Sequence, residues 1–211
     1  MTSEKESQQQ EIASSQSIPQ EILIAEFNYA RETAAQAMDD RHKMVNFFLI
    51  IVGILANAIG LILFSEKKNV FFESVMVQKV GVGIILLLVF LIGLLYLLKL
   101  VHLRMAWFES ALCMNQVKDY YDERFPQANL KKKAFRWTRQ TLISQDISKL
   151  TTIFGLSALL IICIDSCAFL GFLLCCMSLD RVLLSIGFFA VVLLLQVAYY
   201  KLALSEKRLP K

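Results

Sequence analysis

Four long apolar runs, almost free of charge, constrain most strongly what this chain can fold into. They cover residues 45–64, 80–101, 150–177 and 182–200. A helix rises 1.5 Å per residue, so about 20 residues are needed to cross a hydrocarbon core of about 30 Å. The chain as a whole is 56% hydrophobic and 19% charged, which is more apolar than an ordinary soluble domain. The sequence therefore predicts an all-α protein built on a bundle of four transmembrane helices.

Lys and Arg residues are distributed unevenly around these runs. Of the 22 in the chain, all but four lie before residue 45, within 99–149 or after residue 200, and the exceptions are Lys67, Lys68, Lys79 and Arg181. Segments rich in Lys and Arg stay in the cytoplasm, so both termini are predicted to be cytoplasmic (N-in/C-in) and the protein to lie in the cell (inner) membrane. The N-terminus has no basic segment followed by an apolar core, so the first span is expected to be an uncleaved anchor.

The polar segments that flank the runs predict a helical cytoplasmic cap. Residues 1–16 are rich in Gln, Ser and Glu and are expected to be a disordered tail. Residues 17–44 begin with an S-x-x-Q capping box and are predicted to form an amphipathic helix. No Pro or Gly separates residues 20–44 from the first span, so one helix is expected to continue into it. Its a/d seam consists of Leu23, Phe27, Ala30, Ala34 and Ala37.

The segment 102–149 completes the predicted cap, and residues 201–211 form a cytoplasmic tail. An apolar stripe that includes Trp107 and Val117 predicts a helix, which Phe125-Pro126 should end, because the residue before a proline avoids the α region. A second helix is expected from about residue 129, leading directly into the third span.

Asp165 is the residue with the strongest claim to a function. It lies near the predicted bilayer centre, where a carboxylate costs about 2.5–3.5 kcal/mol on insertion scales. It either lines a polar or proton path or holds helices together through a hydrogen bond, and both interpretations stay open. Asn57 in the first span has a similar depth and is the candidate to meet it. Gln196 and Lys99 are instead expected at the inner membrane interface.

Small residues recur every four positions in the third span, at Cys163, Cys167, Gly171 and Cys175. A stripe of this kind is predicted to pack against another helix. No Cys and His spacing indicates a zinc site, and the motifs of hydrolases, metalloproteases and nucleotide-binding loops do not occur. The chain is therefore predicted not to be an enzyme, with no catalytic residues, no metal and no cofactor.

Cations and aromatic residues alternate just before the third span, at Lys131, Lys132, Lys133, Arg136, Trp137 and Arg139. Lysine and arginine near a membrane surface attract anionic headgroups, at about 1 kcal/mol each, and lipid is the favoured ligand. Stacking and charge together also suit a nucleotide or RNA. The bilayer is the main partner expected, a nucleotide signal is an alternative, and nucleic acid is not expected.

Two stretches resemble a group of small bacterial multi-pass membrane proteins in which a cytoplasmic helix leads into the first span, and together they cover about a third of the chain. They are Ala25-Glu26-Phe27-Asn28-Tyr29-Ala30-Arg31 up to Arg41-His42-Lys43, and Asn115-Gln116-Val117-Lys118-Asp119-Tyr120-Tyr121 up to Phe125-Pro126. The layout is also distantly similar to the SLATT-type membrane effectors of bacterial conflict systems. That resemblance implies permeabilisation of a membrane on a nucleotide signal, although this chain has four predicted spans instead of two.

Two functions follow as hypotheses. The first is a homo-oligomeric channel, pore or membrane effector whose cytoplasmic helices gate or assemble the spans, and it rests on Asp165, the small-residue stripe and the seam of residues 23–37. The alternative is a non-conducting scaffold whose cap docks a cytosolic partner.

We expect the chain to stay in the membrane fraction during alkaline carbonate extraction, because four apolar spans cannot be released without detergent. A reporter enzyme that works only in the cytoplasm should be active when it is fused after the tail 201–211. Recovery of the chain in the soluble fraction, or a tail that protease reaches from outside an intact cell, would contradict the predicted topology.

Overall fold

Every secondary-structure element in the described part of the chain is a helix. The computed structural model describes residues 2–64, 75–129, 135, 138–144, 148–177 and 182–205, with the backbone alone at 2–19, 128, 143 and 144. The helices are α1 (Thr2–Phe64), α2 (Val75–Arg124), a 3-10 turn (Pro126–Ala128), α3 (Arg139–Ser144), α4 (Ile153–Cys176) and α5 (Val182–Ser205). Helices α1, α2, α4 and α5 are long and apolar enough to cross a membrane. The predicted all-α class with four membrane-spanning helices is confirmed at this level.

Helix α1 passes from its polar part into its apolar part without a break, as the absence of Pro and Gly from residues 20–44 predicts. It differs from the prediction at its start, because it begins at Thr2 and the backbone of the expected disordered tail, residues 1–16, is helical from that residue. The reason is local. Gln, Glu, Lys and Ala are good helix formers, and α1 continues through Pro19, which was expected in its first turn.

The chain divides into two compact units, and the first consists of Met1–Met38 and Met105–Gln145. Within it, three alanines of the predicted α1 seam are buried, and so are two residues of the predicted α2 stripe: Ala30, Ala34, Ala37, Ala111 and Val117. The Cys113 thiol donates to a carboxylate oxygen of Glu26 at 3.9 Å. Helices α1 and α2 therefore pack against each other through small side chains, and α2 ends at Arg124, directly before Phe125-Pro126, as predicted.

The second unit consists of Asp39–Arg104 and Asp146–Lys211, and in it α2 and α4 run antiparallel. The Phe90 and Phe169 ring centroids are 4.8 Å apart. Further along, Leu86 of α2 lies against Gly171 of α4, and then Gly83 lies against Cys175. Residue numbers thus fall along α2 as they rise along α4, and the contacts from Phe90 to Gly83 keep one register over about two helical turns.

Helix α5 packs antiparallel against α4 in the same unit. The Ser185 hydroxyl, near the start of α5, donates to the Met177 sulfur at the end of α4 at 3.6 Å. Helix α1 joins through Phe48, whose ring centroid lies 5.3 Å from that of Tyr96 on α2. The interior of this unit is therefore formed by one face of each of the four apolar helices.

The chain turns sharply before α4 instead of leading into it as one helix, which corrects the prediction for residues 129–149. Thr152 is extended, with φ −76° and ψ 161°, and its hydroxyl accepts from the Gly155 N–H at 3.1 Å. A Cβ at Gly155 would lie 2.5 Å from the backbone oxygens of Lys149 and Leu150. A capping threonine and a close backbone approach therefore start a new helix here.

The predicted packing stripe of α4 meets another helix of the same chain only in its second half. Cys163 and Cys167 are exposed in the chain, whereas Gly171 and Cys175 face α2. Each step of four residues turns the side chain by about 40° around a helix of 3.6 residues per turn. The three steps between the four positions therefore turn the stripe by about 120° in total, and only the last two positions reach α2.

The register of α2 and α4 predicts that Gly83→Cys forms a disulfide with the native Cys175. A Cβ at position 83 lies 3.6 Å from the Cys175 Cβ, within the range of about 3.5–4.5 Å that a disulfide requires. In a chain whose other four cysteines are replaced by Ala, mild oxidation should protect both thiols from alkylation. Ile84→Cys, which is 61% exposed, is the matched control and should leave Cys175 free. Equal alkylation of the two variants would contradict this register.

Candidate functional site

Asp165 lies inside the second unit, on the face of α4 that points into the bundle. It is 1% exposed and follows Ile161 and Ile162, which are also buried. One of its carboxylate oxygens, Oδ2, accepts a short hydrogen bond from the side-chain amide of Gln196 on α5. The pair joins α4 and α5 by a polar contact at the centre of apolar helices, where water cannot compete for it.

Gly93 of α2 lies directly against the Asp165 side chain of this pair. A Cβ built on Gly93 would overlap the Asp165 carboxyl group, so no larger residue fits unless α2 moves away. A glycine lets two membrane helices approach closely, and here it lets the α2 backbone lie directly against a carboxyl group. Three helices therefore converge on the Asp165 carboxyl.

The bonding of the pair is incomplete. Asp165 Oδ1, Gln196 Oε1 and the Ser166 hydroxyl are buried and have no hydrogen-bond partner in the structure. Leaving a buried polar atom unpaired costs about 1–3 kcal/mol, so a fold retains such atoms where something else satisfies them. Oxygen atoms of this kind suit a proton, a water molecule or a hard cation.

The structure pairs Asp165 with a different residue from the one that the sequence suggested. Asn57 is exposed on α1 and does not meet Asp165. Gln196, expected at the membrane interface with Lys99, is 5% exposed and bonded to Asp165. Gln196 lies further from the end of its helix than predicted, because α5 continues to Ser205, five residues past the predicted end of the span. Asn57 has a suitable position along α1 but lies on an exposed face.

A second group of polar residues surrounds Phe154 at the first turn of α4. The guanidinium carbons of Arg41 and Arg104 lie 5.1 Å and 4.9 Å from its ring centroid. Both side chains are buried, at 2% and 9% exposure, and arginine keeps its charge in proteins. A cation over an aromatic face gains about 0.5–2 kcal/mol, so Phe154 holds two positive charges at one end of the bundle.

Tyr200 lies between the two groups. It is fully buried and its hydroxyl has no hydrogen-bond partner, while the Arg104 charge is close enough to act on that hydroxyl. Gln196 and Tyr200 are four residues apart and share a face of α5, about 6 Å apart along the axis. Asp165 and Phe154 are separated along α4 by roughly 16 Å. The buried polar groups thus form a column from the cation pair to Asp165, here called the polar column.

Sequence reasoning identified Asp165 but missed the other members of the polar column. The missed residues are Gln196, Tyr200, Arg41 and Arg104, together with Gly93 and Phe154, which lie against them. One signal was present: Gly93 and Arg104 are eleven residues apart, as are Phe154 and Asp165. An antiparallel pairing of α2 with α4 places both pairs at matching levels, but that pairing is not visible in the sequence.

The predicted basic cluster lies largely outside the described residues. Lys131, Lys132, Lys133, Arg136 and Trp137 are not described, and Arg139 is exposed on α3. Nearby, the Lys118 ammonium nitrogen lies 5.8 Å from the centroid of the Phe135 ring. In the parts of the chain that the structure describes, His, Cys, Asp and Glu side chains do not gather in groups of three or more that could hold a metal ion.

Because Gly93 lies against the Asp165 carboxyl, we expect Gly93→Ala to destabilise the protein by about 1–3 kcal/mol, the usual penalty for overpacking. Gly187→Ala is the control, because nothing lies within 4 Å of a Cβ there and alanine favours a helix over glycine. Thermal unfolding of both variants in detergent measures the difference. If Gly93→Ala is as stable as Gly187→Ala, the close approach of α2 to Asp165 is wrong.

The chain was also compared with models of protein families, with curated proteins and with solved structures. None of the three comparisons gives a match. The residues and contacts of the chain itself therefore carry the functional interpretation, and within them the polar column is the feature with the clearest chemical content.

Proposed function

We propose that this chain is a homo-oligomeric membrane protein of the channel, pore or membrane-effector type, in which the polar column of each subunit handles an ion or a proton. The observation that carries the proposal is Asp165. It is a carboxyl group with 1% exposure among apolar helices, and one of its oxygens has no partner. Ionisable residues inside a membrane are costly and usually mark ion or proton pathways.

Charge along the polar column supports a gated path over an open one. The two guanidinium groups at Phe154 place positive charge at one end, and positive charge repels cations entering there. Moving Arg41 or Arg104 away from Phe154 would lower that barrier. In the proposed closed state, both guanidinium groups lie on Phe154 and block one end of the column to cations.

Helix continuity supports gating through the predicted cytoplasmic segments. Arg41 lies on α1 and Arg104 on α2, and both helices pass without a break from the first unit into the second. Residues 1–38 and 105–145 are therefore the segments at which we propose that a ligand or partner acts.

The alternative is a non-conducting scaffold, and one observation favours it. Gln196 already donates to Asp165, so the pair could serve only to hold α4 and α5 in place. Hydrogen bonds between membrane helices contribute about 0.6–2 kcal/mol, which is enough for a structural role. The two functions differ in whether ionisation of Asp165 matters.

Flux through liposomes that contain the purified protein tests the proposal. Asp165→Asn keeps the shape and a hydrogen-bonding oxygen for Gln196 but cannot ionise, so proton or cation flux should fall at least tenfold, on the order of 1.4 kcal/mol or more in barrier height. Asp40→Asn makes the same chemical change before the first predicted span and should leave flux unchanged. Detergent mass measurement checks that both variants assemble like the parent chain.

Two outcomes would contradict the proposal. Equal flux through the parent chain and Asp165→Asn would remove Asp165 from the path. A parent chain that assembles but conducts no more than protein-free liposomes, with the activating partner or nucleotide supplied, would favour the scaffold.

A further inference from the structure

The outward face of α1 within the first predicted span is open along its whole length. Phe48 is the one residue of 45–64 that is buried, and nothing lies within 4 Å of a Cβ built on Gly53 or on Gly60. Asn57 is exposed on this face, although its position in the span places it about 18 Å from the inner end. Each of the other three apolar helices buries a larger share of its most apolar segment.

Residues on this face follow a heptad pattern. The steps between them alternate four and three, which is the a/d spacing of helices that pack side by side. At 100° per residue, all six fall within an arc of about 80°. These residues, here called the outer seam, are Asn46, Ile50, Gly53, Asn57, Gly60 and Phe64.

Exposure of the Asn57 side chain to lipid on this face is energetically unfavourable. Its amide has two donors and one acceptor oxygen, and transfer of an unbonded amide into an apolar medium costs roughly 2–7 kcal/mol. A lipid headgroup cannot reach the depth at which the residue lies. Something with polar groups at the same depth must therefore cover it.

We propose that the outer seam is an interface with a second copy of this chain, in which the Asn57 side chains of two subunits bond to each other. An amide both donates and accepts, so it is its own complement across a two-fold axis. Gly53 and Gly60 flank Asn57 by about one turn on each side and let the two α1 backbones come close. Asn46 repeats the same polar group eleven residues earlier on the same arc, where it fixes the register.

This interface deepens the proposed homo-oligomer and rests on that part of the proposed function, but it does not depend on conduction. Its experiment measures contact between subunits, whereas the flux experiment measures transport. The two can therefore fail separately.

Disulfide cross-linking of the full chain in lipid vesicles tests the outer seam. With the five native cysteines replaced by Ala, single cysteines are introduced at Ile50→Cys and Phe64→Cys on the seam and at Phe47→Cys and Leu63→Cys beside it. All four positions are at least 54% exposed, so access to oxidant does not separate them. The seam variants should form covalent dimers at low protein-to-lipid ratio, and the two controls should form severalfold fewer.

Asn57→Leu in the Ile50→Cys chain removes the amide at similar volume. Covalent dimer should then fall about threefold to tenfold, the loss of about 0.6–1.4 kcal/mol that a hydrogen bond between membrane helices supplies. Ser157→Ala, a polar-to-apolar change on α4, should leave the yield unchanged. Equal cross-linking on and beside the seam, or an unchanged yield with Asn57→Leu, would overturn this interface while leaving a homo-oligomer through other faces intact.

Discussion

The hydrogen bond from Gln196 to Asp165 is the contact on which the arrangement of the apolar helices depends. In a bilayer, apolar side chains gain little free energy by exchanging contacts with lipid for contacts with protein. Apolar contacts alone therefore do not favour one packing of the four helices over another. A buried carboxyl group supplies that preference, because only particular rotations of α4 and α5 satisfy it. Gly93 extends the constraint to α2, whose backbone must lie where a side chain would collide with the carboxyl.

The same packing brings Arg41 and Arg104 onto Phe154 and places Tyr200 between them and Asp165. Two positive charges therefore lie at one end of the bundle and a carboxyl group lies further inside, so charge is distributed unevenly along the helix axes. The helices that carry the two arginines are the ones that extend into the first unit. The proposed ion-handling function and its proposed control both rest on this one arrangement of side chains.

Much of this fold was predictable, because run length and charge are one-dimensional signals. The four spans, the continuity of α1 and the end of α2 before Phe125-Pro126 all follow from composition along the chain. The predictions that were wrong required knowledge of how the helices end and which of their faces meet. The partner of Asp165 depends on how far α5 continues past residue 200 and on which of its residues face α4. The start of α4 depends on a turn at Thr152 and Gly155 that has no periodic signature. Likewise, Cys163 and Cys167 turn outward because equal spacing drifts around a helix.

The most direct measurement is the infrared spectrum of the Asp165 carboxyl group in the purified protein in bilayers, isolated as the difference between the parent chain and Asp165→Asn. We expect the carboxyl band to shift when Gln196 is replaced by Leu, because the Gln196 amide donates directly to Asp165 Oδ2. The band should not shift when the exposed Asn57 is replaced by Leu. A band that ignores Gln196, or that responds equally to both substitutions, would contradict the buried pair and with it the polar column.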